Sequence, residues 1–171
     1  MTGAGKSDAV LTPAAMRGDR EAFEELVRRH QAGIRALSRR LARSVSDGDD
    51  IAQAAFMTAW RRRSTWRGGS FRGWVCAIAY REFLHARTIG PPSTADDIAG
   101  PGESPGERLD LQRAFAMLDE HECSAVALCL GAGLSHTEAA LVMAAPLGSV
   151  KSWVARGRVK LQTALAAYVR T

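Results

Sequence analysis

Hydroxyl and basic side chains recur along one stretch near the end of the chain, with no acidic residue among them. They are Ser149, Lys151, Ser152, Arg156, Arg158 and Lys160. The apolar residues Val150, Val154 and Leu161 recur at helical steps between them, which predicts a helix with one buried face. Short polar groups and cations on the opposite face can bond base edges and phosphates in the major groove of DNA. The stretch therefore predicts a DNA recognition helix; the simpler alternative is a surface helix with a solvated basic face.

A second predicted helix precedes this one and supports the DNA-binding interpretation. Ser135 followed by Glu138 forms a Ser-x-x-Glu capping box, the pattern in which each side chain satisfies a backbone N–H at a helix start. Pro146 and Gly148 predict a turn, and Ser149 is the expected cap of the recognition helix. Two capped helices joined by a tight turn are typical of a helix-turn-helix.

Seven arginines and one acidic residue lie between Arg61 and Arg87, and aromatic residues are interleaved with them. Cationic side chains beside aromatic rings suit a nucleic acid whose bases can be unstacked. We expect Trp74 to belong to the core, and Trp66, in a glycine-containing loop, to be the better candidate for contact. The candidate contacts in this segment are Trp66, Arg67, Phe71, Arg72, Tyr80 and Arg81.

The segment from Asp49 to Arg63 is predicted to be a helix that begins with acids and ends with arginines, as the helix dipole favours. Its apolar residues can face a core. Asp50, Gln53 and Met57 fall on another side, which is either a solvated face or a binding surface.

The composition narrows the possible functions. The chain has 171 residues and a formal net charge of +5, which makes a polyanionic partner plausible. It has no apolar run of about twenty residues and no secretory signal at its start, so we expect neither membrane insertion nor export. Three cysteines without CxxC spacing and four scattered histidines predict free thiols in a reducing cytoplasm and no metal site. Without paired carboxylates in a plausible cleft, a nucleophile elbow or a phosphate-binding glycine loop, we expect no catalysis and no cofactor.

The predicted fold is all-α, with two small helical domains and no strand. A Pro-, Gly- and acid-rich stretch between them has no apolar period and predicts an extended linker. The expected divisions are a disordered tail at 1–11, a first helical domain at 12–88, an acidic linker at 89–108 and a helix-turn-helix domain at 109–171. In this last domain, the helical segment up to Leu130 is expected to break near Asp119 to Glu122.

Four separated motifs in this order resemble a bacterial extracytoplasmic-function (ECF, group four) RNA polymerase sigma factor of the sigma-70 family, and the resemblance spans about Arg17 to Tyr168. The motifs are Gly18-Asp19-x-Glu21-Ala22-Phe23, Asp49-Asp50-Ile51-x-Gln53-x-x-Phe56-x-x-Ala59-Trp60, Phe71-Arg72-x-Trp74-Val75-x-x-Ile78-Ala79, and Leu134-Ser135-x-x-Glu138-x-Ala140 with Leu147-Gly148-Ser149-Val150-Lys151-Ser152 and Arg156.

The resemblance implies a sigma-2-like domain, a linker and a sigma-4-like domain, which together direct core RNA polymerase to specific promoters. It implies that Asp49, Asp50 and Gln53 bind the beta-prime subunit, and that the arginine- and aromatic-rich segment opens the minus-ten element, with a flipped base captured in the loop at about Arg63 to Phe71. It further implies that the second domain binds the beta subunit and reads the minus-thirty-five element through the recognition helix. Partners would be core polymerase, promoter DNA and an anti-sigma factor.

Four positions depart from the family pattern, namely Arg81, His85, Ala139 and Trp153. Two alternatives to a sigma factor stay open at this point. One is a stand-alone helix-turn-helix regulator whose first domain senses a ligand or a partner, and the other is an interaction protein that mimics a sigma factor without melting a promoter.

Overall fold

A computed structural model describes residues 6–42, 44–89, 111 and 113–168, and every regular element in that part of the chain is helical. We number the α-helices in chain order. Their bounds are α1 Asp8–Met16, α2 Arg20–Leu41, α3 Val45–Arg61, α4 Phe71–Ile89, α5 Glu120–Val126, α6 His136–Met143 and α7 Leu147–Tyr168. A 3-10 turn (Arg63–Thr65) follows α3, and a turn of π-helix (Ala127–Gly131) extends α5.

Helices α1 to α4 form a bundle around the long amphipathic helix α2. Leu26, Ile34 and Leu37 of α2 are fully buried, and α1, α3 and α4 pack around them. Phe23 of α2 meets the edge of Phe71 at 5.9 Å, which fixes the start of α4 against α2. This bundle corresponds to the predicted first domain.

The chain becomes ordered earlier than predicted, because α1 begins at Asp8. The Asp8 carboxylate accepts hydrogen bonds from Arg29 at 3.0 Å and pairs with His30 at 2.5 Å, both on α2. Leu11 is buried beneath the same contact. The predicted tail at 1–11 was therefore too long, since residues 8–11 are helical; residues 1–5 lie outside the described part of the chain.

Helix α3 also begins before the predicted residue, at Val45 rather than Asp49. The Ser44 hydroxyl accepts a hydrogen bond from the Asp47 N–H at 3.0 Å and caps the helix. Gly48, which suggested a break, lies inside the helix against α2. A Cβ on Gly48 would stand 2.6 Å from the Arg39 Cα, so the glycine permits the close approach of the two backbones.

The second half of the chain is a smaller helical unit. Residues 113–116 are helical, and the break predicted near Asp119 to Glu122 is confirmed, because α5 starts there with a reciprocal capping box between these two side chains. Helices α5 and α7 pack closely, with α6 lying across α7. The predicted helix-turn-helix is formed by α6 and α7.

The two halves lie in direct contact. Helix α2 packs against the π-helical turn and α4 packs against α6. Arg87 at the end of α4 binds the Glu120 carboxylate through two nitrogens, one of them at 2.9 Å, and the Cys123 thiol donates to the Arg40 carbonyl at 3.7 Å. Apart from Ile89, which ends α4, the predicted linker at 89–108 lies outside the described residues.

We expect Gly48→Ala to lower the free energy of unfolding by about 1 to 3 kcal/mol or more, because the new methyl group would overlap the backbone of Arg39. Gly33→Ala is the matched control within α2, since a Cβ there meets only Arg72 Nη2 at 3.9 Å. That change should be neutral or stabilising by up to about 1 kcal/mol through helix propensity. Urea denaturation of both variants measures the difference, and equal effects would contradict the assigned packing of α2 on α3.

Candidate polymerase and nucleic-acid interfaces

The predicted polymerase-binding residues on α3 differ in whether their side chains are exposed or paired with α2. Asp50 and Gln53 are exposed, and Met57, one turn further on, has 55% of its surface exposed. Asp49 instead turns toward α2, where its two oxygens accept hydrogen bonds from Arg39 Nε and Nη2, both at 2.8 Å. The Arg39 guanidinium lowers the pKa of the Asp49 carboxyl. The open surface of α3 therefore presents one carboxylate, one amide and one thioether in a row.

The loop between α3 and α4 contains the predicted stacking residue Trp66. The side chain is half-buried, and its indole N–H is buried without a hydrogen-bond partner within the described chain. Arg67 beside it is exposed and donates to the Ser64 carbonyl at 2.8 Å. Gly68 and Gly69 follow with positive φ angles of 105° and 85°, which other residues resist. The loop holds an unpaired donor next to an exposed cation.

Two predicted minus-ten contacts, Phe71 and Tyr80, are buried in this arrangement of the helices, and their contact with DNA stays a prediction. Phe71 is 2% exposed, with its ring 5.6 Å from that of His30 and also against Phe23. Tyr80 is 6% exposed and lies beside Ser124 of α5. Burial raises the pKa of Tyr80. Aromatic residues can belong to a core or stack on bases, and in this structure both Phe71 and Tyr80 belong to the core.

The two predicted arginine contacts of α4 differ in their surroundings. Arg81 is exposed on the second half of the helix. Arg72 is half-buried, and its guanidinium lies within 3.9 Å of the positions that a Cβ on Gly33 or Gly133 would occupy. Arg72 therefore sits where the two halves of the molecule meet, and Arg81 lies in the open.

The capping box predicted at the start of α6 is confirmed. The Ser135 hydroxyl accepts from the Glu138 N–H at 3.2 Å, and the Glu138 carboxylate accepts from the Ser135 N–H at 2.8 Å. The turn to α7 passes through Ala144 in the left-handed region at φ 50°, a conformation that costs energy for a residue with a Cβ. Helix α7 then begins at Leu147, so Ser149 lies inside its first turn and is not the predicted cap.

Helix α7 has one buried face and one open face. Val150, Val154 and Gly157 are buried against α5 and α6, whereas Lys151, Ser152 and Arg158 are exposed. Trp153, whose place the sequence did not indicate, is half-buried and stacks on the His121 ring with centroids 4.7 Å apart at 12°. Arg156 is exposed as well, so four of the six named polar residues of the predicted recognition helix are exposed, and Ser149 and Lys160 are half-buried.

Two of the named residues, Arg156 and Lys160, also pair with a buried carboxylate. Arg156 Nε donates to Glu122 Oε1 at 3.1 Å, and Lys160 Nζ donates to Glu122 Oε2 at 2.6 Å. Glu122 is 1% exposed. The Lys160 hydrogen bond, with help from the Asp119 N–H and Arg156, holds the pKa of Glu122 at about 2 against the opposing effect of burial. The capping pattern marked Glu122 in the sequence, but its long-range partners left no local signal.

The remaining candidates for chemistry are unremarkable in their surroundings. Burial raises the pKa of Cys76 and of Cys123 to about 11, so both thiols stay protonated near neutral pH. Within the described ranges no group of His, Cys, Asp and Glu side chains is arranged to hold a metal ion. None of the helices described is both long and apolar enough to cross a membrane.

Comparison with protein families identifies both halves. Residues 26–88 match the model described as Sigma-70 region 2, and residues 108–161 match that described as Sigma-70, region 4. RNA polymerase sigma factor NccH of Alcaligenes xylosoxydans xylosoxydans is 30% identical over 175 residues, which cover 92% of this chain and 94% of that protein. ECF RNA polymerase sigma-E factor of Escherichia coli K12 is 32% identical over 188 residues, which cover 96% of this chain and 97% of that protein.

Solved structures share the fold. CnrH in complex with the cytosolic domain of CnrY superposes with a TM-score of 0.75 at 24% identity, covering 95% of this chain and 99% of CnrH. The sigma factor RpoE in complex with the anti-sigma factor NepR from Bartonella quintana gives a TM-score of 0.71 at 24% identity, and the match covers 85% of this chain and 98% of RpoE. The predicted all-α architecture is confirmed by this likeness.

The Glu122 cluster predicts a specific acid sensitivity. Because the pKa of Glu122 falls from 4.5 to about 2 on folding, its ionised form stabilises the fold fully above about pH 4.5, and this contribution is lost as pH falls toward 2. The difference in free energy of unfolding between wild type and Glu122→Gln should therefore shrink across that window in urea denaturation series. A difference that stays constant between neutral pH and pH 2 would contradict the pairing.

Proposed function

The chain belongs to the extracytoplasmic-function group of the sigma-70 family of RNA polymerase sigma factors, and from this membership we propose how each surface takes part in transcription initiation. The protein binds core RNA polymerase and directs initiation at specific promoters. The assignment of roles rests on one observation, which is that a single chain carries two different exposed surfaces. Helix α3 exposes the Asp50 carboxylate and the Gln53 amide, and the second helix of the helix-turn-helix exposes cations.

The polymerase contact is assigned to α3. Asp50 and Gln53 present a carboxylate and an amide that project freely, and such groups can pair with cations and backbone groups of the beta-prime subunit. Asp49 contributes indirectly, because its pairing with Arg39 fixes the start of α3 on α2. The beta subunit is assigned to the second half of the chain, as the family resemblance implies.

Minus-ten recognition is assigned to the loop before α4 and to the exposed side of that helix. Trp66 is half-buried, and its indole N–H, which is buried without a partner among the described residues, would reach a base only after the loop moves; Arg67 and Arg81 offer exposed cations. An unstacked base gains from a ring to stack on and from a donor aimed at its edge. Phe71 supports the loop from inside the core and does not itself touch DNA.

Promoter binding requires the two halves to separate. The minus-ten and minus-thirty-five elements lie roughly 25 base pairs apart, about 85 Å at 3.4 Å per pair, whereas here the halves are in contact. Separation would break the Arg87–Glu120 pair and uncover Tyr80 from Ser124. Tyr80 and Arg72 become available to minus-ten DNA only in that open form.

Minus-thirty-five recognition is assigned to α7. Lys151, Ser152 and Arg158 are exposed and can reach phosphates and base edges in the major groove. Arg156 and Lys160 lie at the flank of this surface, where Glu122 of α5 holds them, and Ser149 is half-buried in the first turn of the helix. The basic residues also supply the electrostatic attraction to DNA, which falls with salt.

The remaining expectations concern the cellular setting. The family consists of transcription initiation factors, and we infer that this member has no catalysis of its own and works in the cytoplasm, where polymerase meets the chromosome. Solved relatives are bound to partners described as the cytosolic domain of CnrY and the anti-sigma factor NepR. An anti-sigma factor that covers the α3 surface is the corresponding proposal for this chain.

Run-off transcription with purified chain and core polymerase across a genomic promoter library tests the proposal. We expect transcripts from a limited set of promoters only when both components are present. The chain alone should bind promoter duplex poorly, since polymerase holds its two reading surfaces in register. Strong sequence-specific binding without polymerase, with no transcription when it is added, would favour the stand-alone regulator.

We expect Asp50→Lys combined with Gln53→Ala to weaken binding to core polymerase at least tenfold, because the α3 surface loses its carboxylate and gains a cation. The unfolding transition should stay within about 0.5 kcal/mol of wild type, as for other exposed positions. Glu24→Lys on α2, also exposed, is the matched charge reversal and should leave core affinity unchanged. Equal affinities of the double variant and wild type in fluorescence titration would refute the role of α3.

A further inference from the structure

Glu122 is the one buried charged side chain in the described part of the chain. Its carboxylate has three donors around it, the Asp119 N–H at 3.1 Å, Arg156 Nε at 3.1 Å and Lys160 Nζ at 2.6 Å. A buried carboxylate that lost such partners would be strongly destabilising. A group of this kind needs an explanation beyond filling the core, where an apolar residue of similar volume would serve as well.

The backbone geometry directs this carboxylate at one flank of the recognition helix. The capping box with Asp119 fixes Glu122 in the first turn of α5. Gly157 lies between the two cations in sequence, and a Cβ there would stand 2.6 Å from Val126 Cγ2 and 3.6 Å from Glu122 Cβ. The helices therefore approach so closely that Arg156 and Lys160, four residues apart on one side of α7, both reach the same carboxylate.

The two cations keep part of their surface in solvent while they are held. The side chain of Arg156 is 55% exposed and that of Lys160 is 41% exposed. The hydrogen bond from Arg156 to Glu122 uses Nε, and more than half of the Arg156 side-chain surface stays exposed. The cluster of three charged groups carries one net positive charge where the helix alone would present two.

We propose that Glu122 is a positioning residue for promoter reading: it orients the Arg156 guanidinium at the flank of the minus-thirty-five surface and cancels one positive charge there. This inference rests on the proposed function. A fixed planar guanidinium can recognise one arrangement of acceptors, whereas two mobile cations would bind the phosphates of any duplex. Glu122 thus raises discrimination between sequences at the expense of affinity for DNA in general.

The decisive variant is Glu122→Gln, which keeps the shape and one acceptor but removes the charge. Holoenzyme made with the full chain and core polymerase is titrated by fluorescence anisotropy with two duplexes. One carries a promoter recovered in the transcription screen, and the other has its minus-thirty-five element scrambled. Titrations are repeated over a range of salt concentrations.

We expect the variant to bind the scrambled duplex more tightly than wild type does, with a salt slope steeper by about 0.9 for each freed cation that meets a phosphate. The affinity ratio between the two duplexes should fall about fivefold or more, as for the loss of one oriented base contact. A purely structural role predicts the opposite pattern, with both affinities reduced in proportion and the slope unchanged, and that result would overturn the proposal.

Three further variants separate the causes. Arg156→Lys keeps the charge and loses the planar fork, so the affinity ratio should fall with no change in slope; an unchanged ratio would count against the proposal, and this variant decides the matter if Glu122→Gln does not fold. Lys151→Ala should flatten the salt slope by about 0.9, and this change would show that the assay responds to phosphate contacts made by α7. Glu24→Gln removes one negative charge far from α7 and should change neither quantity.

Wild-type holoenzyme distinguishes this inference from the proposed function. If wild-type holoenzyme transcribes equally from the promoter and from the duplex with the scrambled minus-thirty-five element, promoter reading lies outside α7. That result would overturn both the proposed role of α7 and the role of Glu122. A clear wild-type preference that Glu122→Gln and Arg156→Lys leave intact would overturn only the role of Glu122.

Discussion

The close approach of α5 and α7 is the constraint on which the second half of the molecule depends. At Gly157 the two backbones come so near that an added Cβ would overlap Val126. At this contact a carboxylate is buried, and a buried charge is tolerated only when its partners surround it. The recognition helix can therefore occupy few positions on its support, because a shift along its axis would pull Arg156 or Lys160 away from Glu122.

A second constraint joins the two halves. Tyr80 and Arg87 of α4 meet Ser124 and Glu120 of α5, so the helix assigned to promoter melting and the support of the recognition helix share an interface. Its polar contacts are the half-exposed Arg87–Glu120 ion pair and the bond from the Cys123 thiol to the Arg40 carbonyl, and apolar residues of the second half such as Leu128 and Leu134 share one buried core with α2 and α4. An exposed ion pair contributes modestly to stability in water, so opening this interface would cost chiefly the burial of those apolar side chains.

The sequence predicted most of what is local. Helical periodicity located α7, and the Ser135 capping box was confirmed because its two partners lie three residues apart. The start of α3 was wrong because Gly48 is typical of a turn by itself, and only the distant backbone of Arg39 explains it inside a helix. An aromatic residue can either belong to a core or stack on a base, and the sequence does not distinguish the two. Phe71 and Tyr80 were therefore predicted to contact DNA, although both are buried in the structure. The roles of Asp50, Gln53 and the α7 residues in binding stay predictions.

The two functional helices follow the same arrangement of charges. On α3, Asp49 turns inward to hold Arg39, and its neighbour Asp50 is exposed. On α7, Arg156 turns toward Glu122 while Lys151 and Arg158 are exposed. In each case ion pairs with another helix fix the functional helix: Asp49 pairs with Arg35 and Arg39, and Glu122 pairs with Arg156 and Lys160. The side chains that stay exposed are a carboxylate, an amide and a thioether in the row on α3, and cations on the open face of α7. The two surfaces therefore favour partners of opposite charge, which suits one chain that binds a protein with one helix and DNA with the other.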